Sequence, residues 1–299
     1  MILLFGGDGQ LGREMRRASA TRGVALAALS RAQADITDRA AVSEAIGRHD
    51  PSVVINAAGY TKVDQAEAEP EAAHRANAVG PGILAAACAQ AGVPLIHIST
   101  DFVFDGEKAG AYVEGDKVAP INRYGQSKAD GERAVRDATP MHVIVRTSWV
   151  YGEFGSNFLK TMIKLAATRD ELRVVADQHG CPTSTPDLAD ALLTITPQLI
   201  GGKSVWGTYH FAGSGVTTWH GFASRIVAAQ APLTGRTPRV TAITTAEFPR
   251  AARPPANSAL DCSLIARVFG VHGRPWTEET DTITRKLVEM DIGKASHVA

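Results

Sequence analysis

The sequence predicts an α/β fold, a doubly wound parallel sheet with a smaller C-terminal α/β lobe. Three observations predict it. In the first half, short apolar runs alternate with longer segments of helical period, the signature of βαβ units. The first apolar run leads into a glycine-rich turn and then a helical pattern. The chain has 299 residues, 44% of them hydrophobic and 21% charged, enough for a sheet covered on both faces and a second core.

Taken in order, Met1 to Phe5 is an all-apolar run expected as the first strand. Gly6-Gly7-Asp8-Gly9-Gln10-Leu11-Gly12 follows, and Leu11 to Thr21 has helical period. In this setting Gly6 permits a tight turn, Gly9 lets backbone N–H groups approach a pyrophosphate, and Gly12 lets helix and strand pack closely, which marks a Rossmann-type dinucleotide site. Asp8 is the discordant member, because a carboxylate repels phosphates unless it points away or caps the helix. Further strands are expected at Val24 to Leu29, Ser52 to Ala57, Leu95 to Ser99 and His142 to Ser148. Helices are expected at Ala40 to His49, Glu71 to Ala91 and Arg123 to Asp137.

After Val150 the pattern loosens. Helices are expected at Phe158 to Ala167, Asp187 to Thr194, Trp219 to Ala229 and Glu278 to Met290, and strands at Leu172 to Ala176 and Thr208 to Phe211. A polar tail prone to fraying follows the last helix. Pro249 to Pro255 holds three prolines and two arginines, which suits a loop laid over a site. The expected division is residues 1–150 as an NAD(P)-binding domain and 151–299 as a substrate-binding lobe, with some late segments returning to the first sheet.

Composition excludes several functions. Lys and Arg number 31 and Asp and Glu 31, and a zero balance argues against nucleic-acid binding. Cys88, Cys181 and Cys262 form no Cys-x-x-Cys pair, so neither a disulfide framework nor a zinc site is expected. No run approaches the roughly eighteen apolar residues of a membrane span. Without a signal-like start, the expected compartment is the cytoplasm.

Candidate cofactor residues continue along the strand ends. The second strand ends Leu29-Ser30-Arg31 with no carboxylate, and a hydroxyl beside a guanidinium suits a 2′-phosphate, favouring NADPH over NADH. Asp35 and Ile36 are placed near the adenine edge. Ala58, Gly59 and Tyr60 follow the third strand, where small residues let a ribose and phosphate lie against the backbone. Ser99 and Thr100 end the fourth, and Tyr124-Gly125-Gln126-Ser127-Lys128 sets a tyrosine and a lysine on one helix face. The cation favours the tyrosinate form, easing movement of the phenolic proton.

The glycine turn, the Ser/Thr and Tyr-x-x-x-Lys together resemble the extended short-chain dehydrogenase/reductase superfamily. More narrowly, Ser99 to Gly106, Pro120 to Lys128 with Gly131-Glu132, Arg146 to Gly152, Tyr60 to Glu67, Arg253-Pro254 and Asn257-Ser258 look like the dTDP-4-dehydrorhamnose reductases. The resemblance covers essentially the whole chain. It implies hydride transfer from the nicotinamide to C4 of a 4-keto-6-deoxy sugar carried on dTDP. Tyr124 would then be the proton donor, Lys128 would hold the nicotinamide ribose and tune Tyr124, and Thr100 would bond the substrate oxygen. Asp101 would contact the sugar, Trp149 would offer it an apolar face, and Arg253 would pair with the diphosphate. It further implies magnesium at a homodimer interface, with Glu14 matching one ligand position and Asp187 and Glu289 as weaker candidates.

Two other readings stay open on these residues: a nucleotide-sugar epimerase of the same superfamily, and a non-catalytic NADP-binding regulatory subunit. A dehydratase is disfavoured, because Thr100 is followed by Asp101-Phe102 and not by an acid pair.

Overall fold

The structure, a computed structural model, describes residues 1–202 and 205–296. The first half runs β1 (Ile2–Phe5), α1 (Gln10–Arg22), β2 (Leu26–Leu29), α2 (Arg39–His49), β3 (Val53–Asn56), α3 (Gln65–Ala68), α4 (Pro70–His74), α5 (Gly80–Ala91), β4 (Leu95–Thr100), α6 (Arg123–Ala138) and β5 (His142–Thr147). The second half runs β6 (Val150–Tyr151), α7 (Phe158–Ala166), β7 (Glu171–Val175), β8 (His179–Gly180), β9 (Thr183–Ser184), α8 (Thr185–Ile200), β10 (Gly207–His210), β11 (Thr217–Thr218), α9 (Trp219–Thr234), β12 (Arg239–Ile243), α10 (Ser263–Phe269) and α11 (Trp276–Ser296). None of the described helices is long and apolar enough to cross a membrane.

Six strands form one parallel sheet in the order β10-β5-β4-β3-β1-β2. The order reverses between β1 and β3, and such a switch point opens a crevice beyond the carboxyl ends of the strands. The strands are mostly buried and apolar because both faces are covered, with the polar residues concentrated toward their carboxyl ends, as at Asn56, Ser99, Thr100 and Arg146. On one face Ile2, Leu4, Val53 and Ile55 pack with Leu11 and Met15 of α1, Leu188 and Leu192 of α8, and Phe269 of α10. On the other, Leu3, Phe5 and Val54 meet Val42 and Ile46 of α2, Leu84 and Cys88 of α5, and Val135 of α6. The sheet therefore draws on both halves of the chain, through α8, β10 and α10. A separate core joins Leu159 and Met162 of α7, Leu172 and Val174 of β7, Phe222 and Ile226 of α9, and Ile283 of α11.

The helix expected over Glu71 to Ala91 is broken into α4, a π turn at Arg75–Val79, and α5. The cause lies in Pro81, which has no N–H to give the carbonyl of Asn77 four residues back. The freed carbonyl lies against α6, where a methyl on Gly131 would overlap it. At the other end of the chain, β12 and α10 were not expected, α8 runs on past Thr194 to Ile200, and α11 continues to Ser296. The end of the polar tail, residues 297–299, lies outside the described residues.

Candidate active site

The crevice begins at the glycine turn. The N–H groups of Gly6 and Gly7 both donate to the Leu29 carbonyl, at 3.1 and 2.7 Å, pinning the turn to β2. Gly6 has φ 89°, and a Cβ there would sit 2.6 Å from the Ala57 carbonyl carbon. A Cβ on Gly12 would overlap the Gly6 carbonyl oxygen, so α1 starts closer to the strand than any other residue permits. Gly9 caps α1 without a side-chain acceptor, which leaves the N–H groups of its first turn, around Gln10 and Leu11, without a capping partner at the positive end of the helix dipole. That is a cradle for an anion. Asp8 does not close it: its side chain is 66% exposed and pairs with Arg16 at 3.9 Å.

At the end of β2, Arg31 is 86% exposed and holds Asp35 at 2.9 Å. Asp35 also accepts from the Thr37 N–H and hydroxyl, both at 2.9 Å, so its oxygens are engaged within the loop. Ser30 accepts from the Gln33 N–H at 3.3 Å. Ile36 is buried in the core beneath α5 and offers no side-chain surface to a ligand. After β3, the Ala58 N–H donates to Asn56 Oδ1 at 3.1 Å and the Tyr60 N–H to Asn77 Oδ1 at 2.7 Å. A Cβ on Gly59 would meet that same Asn77 oxygen at 3.0 Å, and the Tyr60 hydroxyl reaches out to Glu69 at 2.8 Å.

Beyond β4 the chain turns through a short 3-10 helix, Asp101–Val103, capped by the Thr100 hydroxyl. Helix α6 starts beside it. Asn122 caps α6, accepting from the Gly125 N–H at 2.8 Å, and its amide donates to the Arg253 carbonyl at 2.9 Å. A Cβ on Gly125 would overlap the Phe102 carbonyl oxygen, and this close approach sets the start of α6, with Tyr124, beside the Thr100 turn. The Tyr124 ring meets Phe102 edge-on at 5.6 Å. One turn on, Lys128 Nζ donates to the Ile98 carbonyl at 2.7 Å.

Electrostatics follow from burial. Burial pushes the Tyr124 phenol up to about 12, with Asp101 adding to the rise and Thr100 opposing it. The Lys128 ammonium, 5% exposed, is pushed down to about 8 by burial, with Glu132 opposing. Asp101 is pushed up to about 6, again by burial, while the Ser258 and Thr100 hydroxyls pull the other way. At neutral pH the site therefore holds a phenol with its proton beside a mostly charged lysine. The Ser99 hydroxyl faces away into the protein, donating to Glu132 at 2.6 Å, so only its backbone is left for a ligand.

The opposite wall belongs to the second lobe. Trp149, at φ 46°, stacks flat on Trp219 at 3.6 Å between ring centres, over Gly180, where a Cβ would be 2.5 Å from the indole. Beside Trp219 opens a cavity of about 870 Å³ lined by Phe158, Met162, Phe248, Arg169, Arg173 and Arg250, among others. Arg250 closes onto Asp64 at 2.5 Å and so ties the 249–255 loop to the cofactor side of the cleft. Arg253 is exposed on this loop. Cys181 is buried with its thiol raised by burial, which disfavours a nucleophile.

Sequence reasoning missed Asn77 and, on the aromatic wall, every ring but Trp149. Asn77 is fully buried and joins the Tyr60 backbone to Ser127, whose hydroxyl donates to the Tyr124 carbonyl at 2.7 Å. An asparagine four residues before a proline in an apolar helix was the signal. Trp219, Phe158 and Phe248 carry no local signal, since they meet only through folding. The magnesium position does not fit. Glu14 is 2% exposed and paired with Arg17 at 2.7 Å, Asp187 accepts from the Arg274 N–H at 2.8 Å, and Glu289 is exposed. No group of three or more carboxylate, His or Cys side chains that could hold a metal occurs among the described residues.

Comparison with known proteins identifies the family and the fold. A family model described as the RmlD substrate binding domain matches residues 1–289. A dTDP-4-dehydrorhamnose reductase from Sinorhizobium fredii is 44% identical over 289 residues, 96% of each chain. The crystal structure of a dTDP-4-dehydrorhamnose reductase from Clostridium acetobutylicum superposes with TM-score 0.88 at 40% identity, covering 96% of this chain and 99% of that one. That of a Bacillus anthracis dTDP-4-dehydrorhamnose reductase, in complex with NADP, superposes with TM-score 0.87 at 35% identity over 95% and 98%. By sequence and by fold, over nearly its whole length, the chain belongs to the dTDP-4-dehydrorhamnose reductase family, that of the RmlD substrate binding domain.

Proposed function

We propose that the protein reduces the C4 keto group of dTDP-4-dehydro-6-deoxy-L-mannose with NADPH, giving dTDP-L-rhamnose, the last step in making that nucleotide sugar. The observation that carries the reading is the convergence of Thr100, Tyr124 and Lys128 at the switch-point crevice, next to the uncapped start of α1. The cradle formed by Gly6, Gly9 and Gly12 fits a dinucleotide diphosphate, and exposed Arg31 fits a 2′-phosphate. When bound there, NADPH supplies the hydride.

The chain's own residues do the rest. Tyr124, kept protonated by burial, gives its proton to the developing alkoxide on C4. Thr100 bonds the same oxygen and fixes its position. Lys128 remains cationic at neutral pH and stabilises the tyrosinate as it forms. Trp149 and Trp219 present apolar surface to the deoxy-sugar, and the neighbouring cavity, with rings and three arginines, suits the nucleotide. A magnesium-bridged dimer is left out of this reading, because Arg17 already neutralises Glu14.

The test is nicotinamide absorbance with the 4-keto sugar and, in parallel, NADPH or NADH. Oxidation that depends on the sugar and is faster with NADPH is expected. Sugar isomerisation without cofactor consumption would favour an epimerase, and inert binding of cofactor a regulatory subunit.

A further inference from the structure

Gln10 is the first residue of α1, and the loop before α7 reaches across the two lobes to hold its side chain. Asn157 caps α7, its Oδ1 accepting from the Lys160 N–H at 3.0 Å. A backbone N–H only donates, so that end of the Asn157 amide must be the carbonyl. The other end, Nδ2, therefore donates, and it does so to Gln10 Oε1 and to the Gly152 carbonyl, both at 2.8 Å. Gln10 in turn must present its carbonyl to Asn157. Its Nε2, with two N–H donors, makes no hydrogen bond among the described residues.

The loop is shaped for this contact. Gly155 has φ 65°, and a Cβ there would lie 2.7 Å from Gln10 Cγ. Lys160 Nζ donates to the Glu153 and Gly155 carbonyls, at 3.0 and 2.9 Å, closing the loop on itself. The Glu153 carboxylate takes Arg17 of α1 at 2.6 Å and Lys286 of α11 at 2.7 Å.

We propose that Asn157 is a positioning residue for the cofactor: it locks the Gln10 amide so that the donor end, not the carbonyl, is left for the cofactor diphosphate. The proposal rests on the functional reading above. A diphosphate oxygen only accepts, so a flipped Gln10 would set one acceptor against another in front of an anion. The same Asn157 caps the helix whose Phe158, Thr161 and Met162 line the nucleotide cavity, so its test must keep that cap.

Asn157→Ser does so, because serine is also a good N-cap but is too short to reach Gln10. Affinity for NADP+ and for dTDP would be measured by calorimetry on the same protein, alongside KM for NADPH and kcat. NADP+ affinity and KM for NADPH should worsen about tenfold, with dTDP affinity and kcat within about twofold. Gln10→Ala should cost NADP+ affinity a similar factor, and adding Asn157→Ser to it should cost no more. Asn157→Asp caps α7 and reaches Gln10 but only accepts, so it should weaken NADP+ more than serine does and spare dTDP.

An Asn157→Ser variant with wild-type NADP+ affinity would overturn the proposal. So would an undiminished effect in the Gln10→Ala background, or parallel loss of NADP+ and dTDP, which would mark a merely structural role. A wild-type protein that binds no NADP+ would instead overturn the reading on which the proposal rests.

Discussion

Tyr124, Lys128 and Thr100 stand in a wall where polar groups are fixed by main-chain approach, whereas the facing wall is made of rings and long arginines brought from distant parts of the chain. On the first wall, Gly125 and Gly131 let α6 lie against the Phe102 and Asn77 carbonyls. Behind it, Glu132 is fully buried, accepting from Arg146 at 2.8 and 2.7 Å and from Arg136 at 2.7 Å. On the second wall, Trp149 and Trp219 stack partly buried against the second core, and Phe248 is 53% exposed. On the proposed reading, the proton donor stands on the wall fixed by main-chain approach, and the sugar and nucleotide meet the wall of rings and arginines. In kinetic terms, damage to the first wall should appear in kcat and damage to the second in KM.

The sharpest way to break this contrast is Tyr124→Phe, which removes only the proton donor. It should lower kcat about a thousandfold while NADPH affinity stays near wild type, as read by steady-state rates and calorimetry. Gly125→Ala comes next: the added methyl must displace the Phe102 carbonyl, which should cost about 2 kcal/mol of stability in denaturant unfolding and lower kcat with it. On the facing wall, Trp219→Leu should raise KM for the nucleotide sugar about tenfold with kcat changed little. A fall in kcat equal to that of Gly125→Ala would erase the distinction between the walls.

The smallest effect is a pH dependence. Burial lowers the Lys128 ammonium to about 8, so its charge is present below that pH and lost as pH rises through it. Because the cation stabilises the tyrosinate, kcat should be flat near neutrality and decline above about pH 8. A rise on the alkaline side would contradict the role given to Lys128.

The first wall was largely legible in the sequence, because its logic is local. A glycine turn after a strand, a Ser-Thr at a strand end and a tyrosine four residues before a lysine each set geometry within one or two turns of chain. Three details escaped: Ser99 bonds Glu132 rather than facing the crevice, Ile36 is core, and the helix through Asn77 breaks at the carbonyl that Pro81 cannot satisfy. Each depends on what the rest of the chain supplies. The second wall was legible at Trp149 and Arg253 through resemblance, and in the proline-rich 249–255 stretch through composition. Trp149 lies 70 residues from its stacking partner Trp219, and no period or spacing announces such a contact. Glu14 shows the converse, a residue whose position matched a metal ligand but whose charge is taken up by Arg17 and whose Oε2 accepts from Thr185 at 3.3 Å.

The central claim is hydride delivery to C4 with the proton coming from Tyr124. It is tested most directly by incubating the protein with the 4-keto sugar and NADPH deuterated at C4 of the nicotinamide, on either face in separate reactions, and locating the label by NMR. The account predicts one deuterium at C4 of the product sugar from one of the two labelled cofactors, and almost none when Tyr124→Phe is used. A rearranged sugar with no deuterium and the cofactor unspent would contradict it.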